Sequence, residues 1–133
     1  MTSTRISTLL LFLLAVTLSS CKKEGVGGDA SIRGYVQVRQ YNSTFTQFIA
    51  EYPGRDVYVY LVFDNNIGYD KRIKTDYNGN FEFRYLYKGD YKVYVYSRDS
   101  TLQDLSGIVP VVKEVAITER KEIFDLDTLP IFQ

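Results

Sequence analysis

Thr75-Asp76-Tyr77-Asn78-Gly79-Asn80-Phe81-Glu82-Phe83-Arg84-Tyr85-Leu86, then Gly89-Asp90-Tyr91-Lys92-Val93-Tyr94-Val95-Tyr96, is the stretch that decides the fold. Asn78-Gly79 is a strong hairpin signal, because both residues tolerate positive φ. Phe81, Phe83 and Tyr85 alternate with Glu82 and Arg84, the period of a half-buried strand rather than of a helix. Lys88-Gly89-Asp90 turns the chain, and Tyr91, Val93 and Val95 alternate with Lys92, Tyr94 and Tyr96 in a second strand that runs to Arg98. Working outward, the same period predicts strands over 32–41, 56–64, 69–76, 109–117 and 122–126, the last followed by a tail to Gln133. Residues 42–55 read as an irregular connection ending in a Pro53-Gly54 turn, 65–68 and 118–120 as turns, and 98–107 as a polar loop. Seven short strands at a spacing of roughly ten residues describe an all-β, antiparallel sandwich, with a small closed barrel as the alternative. Val57, Val59, Leu61, Phe63, Phe81, Phe83, Val93 and Val95 are the expected core.

The run Thr75-Asp76-x-x-Gly79-x-Phe81-x-Phe83, followed by Leu86, Gly89, Tyr91, Val93 and Val95, resembles the carboxypeptidase regulatory-like and Cna-B-type domains, a group of transthyretin-like sandwiches. Gly34-Tyr35-Val36 and Asp56-Val57-Tyr58-Val59 fit the same pattern, so the resemblance covers most of residues 31–126. Each repeated residue does structural work, whether in a turn, as a core ring or at a chain reversal. The resemblance therefore implies an Ig-like or transthyretin-like sandwich, and a fold does not by itself imply a function. Members of this group are mostly non-catalytic stalks, spacers and docking domains on cell-surface proteins.

The N-terminus carries a different message. Arg5 lies in a short polar start, residues 9–16 form an apolar core, and 17–20 grade into small residues, the three-part build of a secretory signal. That core is too short to span a bilayer, which takes ~20 apolar residues. Leu18-Ser19-Ser20-Cys21 resembles the lipobox of bacterial lipoproteins, which implies cleavage after Ser20 and acylation of Cys21. Several acyl chains make a firm anchor where a single one binds marginally. Lys22, rather than aspartate, follows the cysteine, and the resemblance then favours the outer membrane, facing the periplasm or the cell surface. Glu24-Gly25-Val26-Gly27-Gly28-Asp29-Ala30 completes a flexible tether spanning 21–30, and 31–133 is expected to be a single domain.

Composition narrows the chemistry. Removal of residues 1–20 takes Arg5 from the 16 basic residues, leaving 15 against 16 acidic ones, a balance of −1. That is no footprint of a nucleic-acid binder. Histidine is absent, so the commonest acid/base group and metal ligand is missing. With Cys21, the lone cysteine, acylated, no thiol chemistry, disulfide or Cys/His zinc site is expected. No cofactor and no metal are expected. Asp76-x-Asn78-x-Asn80 has the spacing of an EF-hand start, but Phe81 stands where glycine is needed and Tyr87 where the bidentate glutamate belongs. An intramolecular isopeptide bond of the Cna-B kind lacks its lysine, because 32–41 carries Arg33 and Arg39 instead.

The unusual presence is tyrosine, 12 in all. Tyr58 and Tyr60 lie opposite the Val57-Val59-Leu61-Phe63 face of their strand, and Tyr94 and Tyr96 opposite Tyr91-Val93-Val95. If these strands pair, as the second and fifth do in the ABED sheet of an Ig-like sandwich, the four rings make one outward ladder. Exposed tyrosines suit protein or carbohydrate recognition, offering area at low entropic cost plus a hydroxyl. The expected function is accordingly a lipid-anchored, non-catalytic adhesion, scaffold or accessory binding module. The alternative is a small surface hydrolase using a pair of carboxylates from among Asp64, Asp70 and Asp99.

Overall fold

The computed structural model describes residues 24–133. Eight strands, β1 (Val26–Tyr41), β2 (Phe48–Pro53), β3 (Tyr58–Phe63), β4 (Lys71–Lys74), β5 (Asn80–Leu86), β6 (Gly89–Arg98), β7 (Ile108–Ile117) and β8 (Ile123–Phe132), form two sheets. The second sheet has the order β4-β3-β6-β7 and is antiparallel throughout. In the first, β8 runs parallel to β1 over residues 31–39. β5 and β2 follow one another along the opposite edge of β1, pairing with 26–35 and 37–41.

The alternating faces close on each other as a β-sandwich rather than a barrel. Ile32, Val36, Val38, Val59, Leu61, Phe81, Phe83, Val93, Val95, Leu129 and Ile131 fill the interior. Each such fully buried side chain contributes about 1.5–3 kcal/mol. Of the eight residues expected in the core, six are buried; Val57, just before β3, and Phe63, its last residue, sit half-buried against the core.

Five expectations need correction. The last expected strand, 122–126 with a tail to Gln133, runs on as β8 to Phe132, because residues 128–132 pair with β1. There are eight strands and not seven, because Phe48–Pro53, inside the expected irregular connection, pairs with β1. Residues 26–30, expected in the tether, belong to β1, and Ala30 is buried. Their glycines serve close packing instead of flexibility: a Cβ on Gly28 would stand 2.1 Å from the Leu86 carbonyl oxygen. The second and fifth expected strands do pair, as β3 and β6, but the first and fourth (β1 and β5) lie in the other sheet, so the ABED order is not formed.

Last, Asn78-Gly79 makes a turn but not a hairpin, since β4 and β5 belong to different sheets. The turn itself is closed by Asp76, whose carboxylate accepts the amides of Asn78 (2.8 Å) and Asn80 (2.9 Å). Gly79 is required twice over: its φ is +81°, and a Cβ there would lie 2.7 Å from the Val36 carbonyl oxygen. β5 also departs from strict alternation. Tyr85 has a φ of +62° and turns outward, and Leu86 takes the core position. The register slips by one residue there, the mark of a β-bulge.

Candidate functional site: a tyrosine face on the second sheet

The β3–β6 register sets Tyr60 directly opposite Tyr94. Their rings stack, with centroids 4.8 Å apart and planes 8° from parallel. Tyr96 meets both edge-on, 5.6 Å from each, and Tyr58 lies 6.3 Å from Tyr60. The four sequence-predicted tyrosines are therefore brought together on the outward side of the sheet. Tyr58 and Tyr96 are 40% and 49% exposed, and Tyr60 and Tyr94 are half-buried between them.

Three further side chains enlarge the face beyond what alternation in β3 and β6 indicated. Tyr69 leans in from the β3–β4 turn, 5.1 Å from Tyr60. Arg72, paired with Tyr60 in register, lays its guanidinium 4.4 Å over the Tyr58 ring and 5.8 Å from Tyr69. Lys74 places its ammonium 5.0 Å over Tyr58. Such cation–π contacts are worth ~0.5–1 kcal/mol at exposed sites. Neither cation forms a carboxylate ion pair among the described residues. On the β7 side, Val112 pairs with Tyr94 and Pro110 with Tyr96, so the row Arg72-Tyr60-Tyr94-Val112 crosses all four strands.

Burial, followed by the neighbouring Tyr96 hydroxyl, holds the Tyr94 phenol above its ordinary range. The group stays protonated and able to donate. Tyr60 and Tyr94 cover one face of each other, and the remaining ring contacts are tilted or edge-on. The face carries exposed parts of Tyr58, Tyr69 and Tyr96 and two cations held against aromatic planes.

The carboxylates named for acid/base work serve their own loops. Asp99 is buried and accepts bonds from the Thr101 amide and hydroxyl and from the Gln103 and Asp104 amides. The Thr101 hydroxyl, then the Asp104 and Thr101 amides, hold its carboxyl far below the usual carboxylate range. Asp70 accepts from the Phe63 amide (2.7 Å) and from Asn66 (2.9 Å), and Asp64 from Asn65 (3.0 Å).

An open depression of about 600 Å³ on the first sheet is lined in part by Arg33, Tyr35, Asp76, Glu82, Asp125 and Asp127. Alternation gave no hint of it, because a bulge in β8 and the Asp76 turn assemble it. Most of its charges are already engaged: Asp125 with Arg33 (3.2 Å), Glu82 with Arg84 (2.7 Å), Asp76 with its turn. Among the described residues no cluster of acidic or cysteine side chains is arranged to hold a metal ion. Cys21, the predicted lipid site, lies outside the described residues.

No protein-family model matches the chain, and no curated protein matches it. Solved structures share its general shape at low identity. A Pseudomonas aeruginosa protein provisionally assigned to carbohydrate binding is 15% identical, with a TM-score of 0.47 over 82% of this chain and 91% of its own. A 9R-lipoxygenase from Cyanothece is 18% identical with a TM-score of 0.43, and an (S)-allantoin synthase 10% identical with 0.41. The chain spans only 20% of the lipoxygenase and 43% of the synthase. At these identities and scores the likeness does not reach function.

Proposed function

We propose that this protein is a lipid-anchored, non-catalytic module of the cell envelope that binds a partner through its tyrosine face. The observation that carries the reading is the gathering of Tyr58, Tyr60, Tyr69, Tyr94 and Tyr96 with Arg72 into one patch. Tyrosine and arginine are the residues most enriched where interfaces hold their binding energy. Ordinary cross-strand stabilisation, at about 0.2–1 kcal/mol per pair, accounts for the Tyr60–Tyr94 stack. It accounts equally for Arg72, which β4 sets opposite Tyr60, but gives no reason for Tyr69 to reach the same ring from the β3–β4 turn.

A protein partner suits this face better than a sugar. Stacking a pyranose needs a free ring face, and here Tyr60 and Tyr94 stack on each other while Arg72 and Lys74 lie over Tyr58, which leaves Tyr69 and Tyr96 as the rings a sugar could use. The anchor follows from the Leu18-Ser19-Ser20-Cys21 lipobox, and the outer membrane from Lys22. The engagement of Asp64, Asp70 and Asp99 with their own loops supports the non-catalytic reading over the hydrolase.

The test is a comparative capture from envelope extract. The soluble 21–133 chain is compared with its Tyr58→Ser/Tyr96→Ser variant, and both protein and polysaccharide fractions are assayed. A species retained by the parent and lost by the variant is the expected result. Identical retention by the two would remove the face from the account, and retention of polysaccharide alone would replace the protein partner with a carbohydrate.

A further inference from the structure

The chain is fastened almost at its lipid. The Gly25 amide donates to the Tyr91 hydroxyl (3.0 Å), and the Gly25 carbonyl accepts the Tyr87 amide (2.9 Å). Gly25 is buried, and Tyr91 is among the largest fully buried side chains. Only four residue steps separate this fixed point from Cys21, a reach of at most ~14 Å when fully extended. A ten-residue tether would allow more than twice that reach.

The fixed point also belongs to one end of the sandwich. The β3–β4 turn reaches it through Asp64, whose amide donates to the Asp90 carbonyl (2.8 Å). The β5–β6 turn lies at Gly89, where a Cβ would stand 2.3 Å from Glu24. The β7–β8 turn arrives beside it, because Gly89 pairs with Ile117. The loops 42–47 and 99–107 close the opposite end, and a ten-residue strand such as β6 separates the two by roughly 33 Å.

Resting on the anchor reading above, we propose that the end formed by turns 64–68, 87–90 and 118–122 lies against the lipid headgroups, with Ile67 at the interface. This stands the strands up from the membrane and presents the tyrosine face sideways. Ile67 is fully exposed at the tip of its turn, an apolar side chain with no protein covering it. Charge is not what holds the contact: these turns carry Lys88, Arg120 and Lys121 against Asp64, Asp90, Glu119 and Glu122, and Arg120 is paired with Asp29 at 2.9 Å. The short link is what holds it, so the contact is insensitive to anionic lipid, unlike that of a polybasic segment.

The chain contains no tryptophan, so an introduced one reports alone. Ile67→Trp and Leu105→Trp replace fully exposed residues at the two ends with the same probe. Each 21–133 chain is coupled through Cys21 to a maleimide lipid in phosphatidylcholine vesicles containing brominated lipid. Fluorescence at position 67 should be quenched several-fold more than at 105, and adding anionic phosphatidylglycerol should not change the ratio. A Gly/Ser insert of about 20 residues between Lys23 and Glu24, with an r.m.s. span near 25 Å, should abolish the difference. Equal quenching at the two positions, or quenching at 67 that survives the insert, would overturn the proposal. The anchor reading stands or falls separately, on whether the mass of the protein from its native membrane includes acyl chains on Cys21.

Discussion

Replacing Tyr91 by phenylalanine removes one oxygen atom from the interior, and its consequences can be worked out bond by bond. The Tyr91 ring fills core volume beside Phe63, 5.8 Å away, and phenylalanine would preserve that packing. The hydroxyl accepts the Gly25 amide at 3.0 Å and donates to the Tyr87 carbonyl at 2.7 Å. Without it the buried Gly25 amide has no protein partner, although the Gly25 carbonyl keeps the Tyr87 amide. Stranding one buried donor costs about 1–3 kcal/mol. For a domain near 100 residues each kcal/mol moves Tm by roughly 4–8 °C. The loss should be local before it is global, because residues 26–30 follow directly from the released bond. Amide exchange in Val26–Ala30 should accelerate ahead of exchange in β3 and β6. If exchange in 26–30 stays as slow as in the parent, Gly25 is not the fastening point, and the short-link argument fails with it.

Phe83→Ala should cost ~3–5 kcal/mol in denaturant unfolding, since Phe83 is 2% exposed at the centre of β5. A loss below about 1 kcal/mol would mean that the ring is not packed as described. Cys21→Ser should abolish acylation and move the protein out of the membrane fraction; an unchanged membrane fraction would refute the anchor. Asp99 gives a pH signature with a definite sign. Its carboxyl is held far below the unfolded value of 3.8, so its contribution is present above about pH 4 and is lost as the pH falls further. Amides of 101–104 should therefore lose protection in acid before the sheets do, and Asp99→Asn should lose them at neutral pH.

Period-two alternation made β3, β5 and β6 legible, together with the opposition of the tyrosines to the core face, because that pattern is local. What it left out was non-local. Phe48–Pro53 carries no buried residue, so β2 leaves no alternating trace, and only its pairing with β1 makes it a strand. Gly25, Gly27 and Gly28 have the composition of a linker, and composition does not distinguish a free chain from one pressed against the Leu86 backbone. Asn78-Gly79 specified its turn through Asp76, but turn chemistry is silent about which sheets receive the flanking strands. Tyr69 and Arg72 were missed as members of the face because they reach it from a turn and from a short polar strand, where no hydrophobic period marks the outward side.

The central claim is that the tyrosine face, and not tyrosine exposure in general, is where the partner docks. Tyr77 and Tyr85 are 75% and 68% exposed, more than Tyr58 at 40% or Tyr96 at 49%, yet both lie outside the face. A photo-crosslinking benzoyl-phenylalanine at each of these four positions, in cells carrying the full chain, separates place from exposure. The account predicts one discrete adduct from positions 58 and 96 and none from 77 and 85. Adducts from 77 and 85 with none from 58 and 96, or equal labelling at all four, would contradict it.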